Sequence, residues 1–449
     1  MNISGILSGV SDRIWSAPVI FGLFAVYLYI SRKSGYPQRY IPLGLRTMFS
    51  AQGGVWRSIS ISLAAVLGVG NIVGVALAIS LGGAGAVFWC WLAGLAGVGV
   101  QYAECLFSLR YRTRTADGSL RCGPMVAMRG TGRPRMARLY AVAVCLCGVA
   151  MGALIPANSI GEVLSQGSGI PIGFTAMLVA GLAAAVILGG AGRVFEFCTG
   201  AVPVMVLFYT GVCLAVLFIC RGAVWDALRL ILREAFQPRC AISGLTGYGI
   251  GRAARWGTAR GLFSSEAGMG TAGISAAAAG QGVAAEQAMG CACSTVWDTL
   301  FLASLTGVTF VAAAIRGGYG FGDALALAEN AFSMVPRIGP LVLPLCIAFF
   351  GFSTIVGWYY IAEQAFRFLF PARGTSAFSL FWIAAVFLGG FAAMDLVWSL
   401  SDILCVFLLV PNLAAVIKFL PDTENDTFKL RLLRSAGRKH RRKDTFDTI

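Results

Sequence analysis

The chain has 449 residues, of which 57% are hydrophobic and 12% charged, and its formal net charge is +15. Soluble domains carry about 25% charged and about 45–50% apolar residues. This balance excludes a soluble enzyme, a secreted disulfide scaffold and a disordered chain, and it predicts an all-α polytopic membrane protein.

A membrane-spanning helix needs roughly 20 apolar residues. Taken in chain order between charged or Gly/Pro breaks, the apolar runs predict about eleven transmembrane helices, near 17–31, 58–80, 84–109, 139–164, 171–190, 198–220, 245–279, 287–315, 338–366, 377–398 and 403–417. The first run ends at Arg32-Lys33 with no small-x-small cleavage site before it, so it reads as a retained helix and not a signal peptide. Between the sixth and seventh runs, Trp225 to Phe236 (WDALRLILREAF) has the spacing of an amphipathic helix lying on the outer surface. The predicted organisation is an extra helix and linker over 1–56, a five-helix set over 57–220, the external segment over 221–240, a second five-helix set over 241–420 and a basic tail over 421–449.

Charge orients these runs. With the N-terminus outside, the cytoplasmic segments hold 24 Lys and Arg against 7 in the outer ones, a strong positive-inside bias. The expected topology is N-terminus outside and C-terminus cytoplasmic. The basic runs Arg110 to Arg138 and Arg431 to Lys443 then face anionic lipid headgroups and not nucleic acid. The inventory of reactive residues is thin. The single histidine, His440, sits in the tail, so no Ser-His pair or His-ligated metal serves the membrane domain. None of the five lysines follows a glycine, which excludes a Walker-A loop. Thirteen cysteines form no Cys-x-x-Cys, and most lie in apolar runs where they read as small hydrophobes.

Irregular backbone is tolerated within a bilayer only where it is buried in protein or lines a cavity, so glycine clusters in mid-run locate functional breaks. The second run contains Gly68-Val69-Gly70-Asn71-Ile72-Val73-Gly74, and the seventh contains Gly261 to Thr271 (GLFSSEAGMGT). Close helix packing is the competing explanation for glycine, and it suits Gly94, Gly97 and Gly99 in the third run. Asn71 in the first cluster, and Ser264, Ser265, Glu266 and Thr271 in the second, favour a polar cavity instead. An ionisable group such as Glu266 needs a partner or such a cavity. With the first run set aside, each cluster lies in the first helix of its five-helix set, and an odd count inverts one set relative to the other. That is the pattern of a 5+5 inverted repeat with two discontinuous helices, whose freed amides suit a carboxylate and whose freed carbonyls suit a cation.

These residues resemble the alanine or glycine:cation symporters of the amino acid–polyamine–organocation superfamily. Gly68 to Trp89 (GVGNIVGVALAISLGGAGAVFW) resembles that family's G-T-G-N-I-A-G-V-A and G-G-P-G-A-x-F-W blocks, and Arg260 to Ala272 (RGLFSSEAGMGTA) its A-R-G-L-F-S-N-E-A-G block. Phe352 to Glu363 (FSTIVGWYYIAE) is similar to F-S-T-I-L-G-W-x-Y-Y-G-E, and Trp398 to Leu413 to its W-x-L-x-D and P-N-L elements. The resemblance covers most of residues 40–420. It implies a LeuT-like fold and Na⁺-coupled uptake of alanine or glycine, L or D, across a bacterial-type inner membrane, with no cofactor besides the coupling ion. By position, Gly70, Asn71 and Ile72 are implied to line the substrate from one break, with Ser264, Ser265, Glu266, Gly268 and Gly270 facing them from the other. Ser353 and Thr354 are implied to clamp Na⁺ against the carbonyls around Val66 to Gly70, and Trp358 to wall the pocket or pack the helix.

Three positions depart from the family pattern. Val69 replaces a threonine and Ser265 an asparagine. In the fourth run, Pro156 stands where the family's G-N-x-V-Q-x-N-S carries glutamine. Proline removes a side-chain amide from a helix expected to face the pocket and frees a carbonyl one turn earlier. Glu104, Glu162, Asp298, Glu363 and Asp402 are expected chiefly in ion pairs or at interfaces, and Trp15 and Trp398 as interfacial anchors. Arg260 reads as a partner of Glu266 or an outer-gate element. The alternatives are a H⁺-coupled carrier using Glu266, a non-transporting sensor on the same scaffold and a lipid-acting membrane enzyme, the last disfavoured by the lone tail histidine. Nothing in the sequence fixes an oligomeric state.

Overall fold

Helices form wherever the sequence keeps apolar residues together, and one stands at each of the predicted runs. The computed structural model describes residues 3–49, 55–114, 120–236, 248–279, 282–371 and 374–446. The predicted residues 237–240 and 245–247, and the last tail residues 447–449, lie outside this set.

A short helix α1 (Ile3–Ile14) precedes α2 (Ala17–Lys33), and the amphipathic α3 (Ile41–Phe49) follows. The second run is split into α4 (Val55–Val66) and α5 (Val73–Gly82), followed by α6 (Ala86–Arg110). A two-residue hairpin, β1 (Thr113–Arg114) and β2 (Leu120–Arg121), leads to α7 (Pro124–Gly130). The fourth run is α8 (Pro134–Cys147) joined to α9 (Ile155–Ser168) through a wide π turn at Gly148–Leu154. Pro156 explains that turn, because its ring cannot sit against the carbonyl four residues earlier. Then come α10 (Ile172–Ile187), α11 (Gly190–Ile219) and the amphipathic α12 (Arg221–Phe236).

The second half repeats the split. α13 (Tyr248–Ser265) and α14 (Thr271–Ser275) flank the second break. α15 (Ala284–Thr295) and α16 (Ser304–Gly317) are continuous through another wide turn at Val296–Ala303. α17 (Ala324–Ser333), capped by Asp323 accepting from the Ala326 amide at 3.0 Å, precedes α18 (Gly339–Leu369), α19 (Thr375–Gly389) and α20 (Met394–Phe446). Among the described residues six helices are long and apolar enough to cross a bilayer, and the pair α4–α5, bent by 63°, makes a seventh when counted as one span.

Three expectations need correction. The tenth run ends at Gly389, and residues 394–398 belong to α20. The predicted boundary at 421 is not a break in the helix: α20 continues to Phe446, and its first tail turns dock on α6 through Arg110–Asp426 at 3.1 Å and Tyr102–Thr427 at 3.3 Å. Trp15 is buried and donates to the Asp402 carbonyl at 3.2 Å, so it packs α1 onto α20 instead of anchoring an interface. The third run behaves as a packing face. A methyl group at Gly94 would meet Thr299 at 2.7 Å, and one at Gly97 would meet Ala267 at 3.0 Å.

Candidate functional site

The first break begins where α4 runs out at Val66. Gly68 is extended, a single 3₁₀ turn covers Val69–Asn71, and α5 restarts at Val73. Glycine at 68 lets the link pass close to α18, because a Cβ there would lie 2.6 Å from the Thr354 hydroxyl and displace it. At Gly70 the opposite holds, since an added Cβ meets nothing within 4 Å. The Ser353 hydroxyl lies 3.4 Å from both the Ala64 and Leu67 carbonyl oxygens. Ser353 and Thr354 thus bring two hydroxyls against the open end of α4, an oxygen set that suits a hard cation.

At the second break three of five residues, Glu266, Gly268 and Gly270, have positive φ angles of 52°, 86° and 84°. For glutamate that conformation is uncommon and strained. Freed backbone groups must find partners inside a bilayer, and here side chains supply them. Tyr27 donates to the Ala267 carbonyl, Asn412 to Gly268 at 2.8 Å and Tyr140 to Met269 at 2.5 Å. The Gly270 amide donates to Glu104 at 3.1 Å, and Asn412 also donates to Glu104 at 2.9 Å. This side of the break is packed shut. A Cβ at Gly268 would strike Tyr27 and one at Gly270 would strike Pro124 and Tyr140, so neither glycine faces open space.

Ser264 and Glu266 point the other way. The Glu266 carboxylate accepts from Trp358 Nε1 at 2.9 Å and from the Thr271 hydroxyl at 2.6 Å. Ser264 donates to Asp298 at 2.8 Å, Thr299 to the same oxygen at 2.7 Å, and Asn71 donates to the other Asp298 oxygen at 2.6 Å. The Ser264 hydroxyl is also 3.0 Å from Asn71 Oδ1. Asp298, carried by the wide turn after α15, therefore ties the two breaks together. The expectation of ion pairing fails for it and for Glu104: both are fully buried and held by hydrogen bonds, whereas Glu363 does pair with Arg367 at 3.0 Å.

Between the breaks lies a cavity of about 60 Å³. Of the residues expected to form the site, Val66, Gly70, Ser264, Glu266, Thr354 and Trp358 line it. Asn71, Ile72, Ser265, Gly268, Gly270 and Ser353 do not. Asn71 is turned onto Asp298, Ile72 is fully buried, and Ser265 bonds the Leu262 carbonyl and Ala267 amide, both at 3.4 Å. The fourth run contributes Met151, Ile155 and Pro156, so the proline departure stands on the cavity wall. Gly152 allows this approach, because a Cβ there would lie 2.2 Å from Trp358 Cβ. Arg260 also lines the cavity, with its guanidinium carbon 5.1 Å from the Trp398 ring and 5.9 Å from that of Trp256. Trp398 lines it too.

Comparison with known proteins agrees with this architecture. The model of the sodium:alanine symporter family matches residues 1–441. An uncharacterized transporter of Haemophilus influenzae is 34% identical over 93% of this chain and 94% of its own. The sodium/alanine symporter AgcS of Methanococcus maripaludis is 29% identical over 93% and 95% respectively. The crystal structure of MhsT in complex with L-phenylalanine shares the LeuT-like fold, with a TM-score of 0.51 at 13% identity over 86% of this chain and 98% of that one. These relatives are transporters, not enzymes, and the apolar helices are those of a multi-pass membrane protein. Matched along nearly its whole length, the chain belongs to the sodium:alanine symporter family.

Proposed function

We propose that this protein is a secondary active transporter that imports a small neutral amino acid, alanine or glycine, together with Na⁺. The observation that carries this reading is the cavity of about 60 Å³ between two helix breaks, lined by Glu266, the Gly68–Gly70 backbone and the Thr354 hydroxyl. A single water needs roughly 10–15 Å³ of such space, so the cavity suits a ligand of a few heavy atoms and not an aromatic amino acid. The Glu266 carboxylate receives the ammonium group, the freed backbone at Gly68 to Gly70 receives the carboxylate, and Met151, Ile155 and Pro156 bound the side chain. Na⁺ sits at the open end of α4, against the Val66 and Gly70 carbonyls with Ser353 and Thr354. Asn71, Ser264 and Asp298 form a second oxygen cluster suited to a hard cation. Asn71 serves that cluster in place of direct substrate contact.

The helices are read as eleven spans in a 5+5 inverted repeat, with the N-terminus outside and the C-terminus cytoplasmic in a bacterial-type inner membrane. Access alternates as one set moves against the other around the fixed site. A buried Glu266 facing the cavity also supports H⁺ coupling as the second reading. Radiolabelled alanine uptake into proteoliposomes separates the two. A requirement for an imposed Na⁺ gradient, with block by glycine and not leucine, supports the main reading. Uptake driven by a proton gradient without Na⁺ supports the second, and absence of uptake by folded protein under either gradient rejects both.

A further inference from the structure

Beside the cavity, three sulfur atoms from three different segments meet in the core. Cys147, at the end of α8, has its Sγ 3.4 Å from Met151 Sδ in the wide turn. Cys405 of α20 has its Sγ 3.3 Å from the same sulfur, and the two thiols are 3.9 Å apart. Both cysteines are free and fully buried. A three-coordinate soft ion with metal–sulfur bonds of about 2.3 Å places its ligands about 4 Å from one another, so the thiol pair already has that separation and only the flexible Met151 side chain needs to draw back, by roughly 0.6–0.7 Å.

We infer that Cys147, Met151 and Cys405 form a binding site for a soft monovalent cation of the Cu(I) or Ag(I) class, reached through the cavity. Met151 lines both the cavity and the sulfur cluster, which gives an ion in the cavity a first ligand. Binding forms two metal–thiolate bonds and releases two thiol protons through the same opening, while the Met151 thioether remains a neutral third donor. The bound cation cancels one of the two thiolate charges. Glu266 and Asp402 are the carboxylates whose fields reach Cys405; both attract a cation there and oppose a bare thiolate, so cation entry and proton release go together. A bound ion pins the wide turn at Met151 to α20, both of which contribute to the cavity lining, and thereby blocks movement of the site.

The test uses purified full-length protein and Ag⁺ alone, followed by native mass spectrometry. Wild type retains one tightly held Ag⁺ that excess alanine slows in forming. Cys147→Ala/Cys405→Ala loses this adduct, while Cys105→Ala/Cys291→Ala, altering two other free and buried cysteines, keeps it. Met151→Leu keeps both thiols and weakens retention by about tenfold through loss of one soft ligand. In proteoliposomes Ag⁺ inhibits wild-type uptake, and the Cys147→Ala/Cys405→Ala variant resists it. An unchanged adduct in that variant, or its loss only in the Cys105/Cys291 variant, overturns the site. If the cysteine variant does not fold, undiminished retention by Met151→Leu does the same. The mass readout requires no transport, so its failure is distinct from failure of the alanine-uptake reading.

Discussion

Asn71 donates its side-chain amide to Asp298 at 2.6 Å, joining the broken second helix to a residue 227 positions away. Ser264 from the other break donates to the second oxygen of the same carboxylate. Asp298→Asn keeps the shape but replaces one acceptor with a donor, so at least one of the three groups facing it loses its partner. A buried donor left unsatisfied costs about 1–3 kcal/mol. The expected outcome is a lower unfolding temperature in detergent together with a higher Na⁺ concentration for half-maximal uptake. A variant with wild-type Na⁺ dependence removes Asp298 from the proposed second cation position.

Trp358 holds one oxygen of Glu266 through its indole N–H. Trp358→Phe keeps most of the aromatic bulk against Gly152 and removes only the donor. Hydrogen bonds to a charged group contribute about 1.5–3 kcal/mol, equivalent to roughly 10- to 100-fold in affinity. KM for alanine should rise within that range while kcat changes less. Trp358 acts here as a positioning residue, and a fall in kcat alone would contradict that role.

Much of this arrangement was legible in the sequence. The two breaks follow from glycine clusters carrying polar residues, and both occur where Gly68 and Glu266 stand. Which side of each break is open was not legible. Gly268 and Gly270 look like cavity residues by proximity, but Tyr27, Glu104, Tyr140 and Asn412 close over them from four other helices. Those partners lie up to 240 positions away along the chain, and periodicity carries no information about such distances. Asp298 was visible as an ionisable residue in an apolar run. Its role depends on a wide turn that rotates the side chain toward Asn71, and no single residue of Val296–Ala303 announces that turn.

Thr354 offers its hydroxyl toward Gly68, and within its own helix it donates to the Phe350 carbonyl at 3.0 Å. Thr354→Val is nearly isosteric and deletes the oxygen. Uptake measured across a Na⁺ titration should show a selective rise in the half-maximal Na⁺ concentration, with little change in KM for alanine at saturating Na⁺. Equal losses in both would assign Thr354 to substrate contact instead.

Pro156 stands on the cavity wall with Met151 and Ile155. Pro156→Gln restores a backbone amide to α9 and introduces a side-chain donor and acceptor beside the substrate. Competition against labelled alanine should then rank serine or glutamine higher relative to glycine. An unchanged ranking would mean that the side chain at 156 does not reach the bound ligand.

Gly68 and Gly70 are two residues apart on the same link, yet a methyl group has opposite surroundings at each. At Gly70 the added Cβ projects into space with no atom within 4 Å, so Gly70→Ala should fold normally. Its methyl occupies room otherwise used by the substrate's own, and alanine uptake should fall relative to glycine. At Gly68 the added Cβ lies 2.6 Å from Thr354 Oγ1 and must displace it. Gly68→Ala should therefore disturb Na⁺ dependence more than the alanine-to-glycine ratio. Measuring that ratio and the Na⁺ half-maximum for both variants tests whether a side chain at 68 disturbs the cation ligand Thr354 while one at 70 meets the substrate. Identical phenotypes would show that the two positions serve one site.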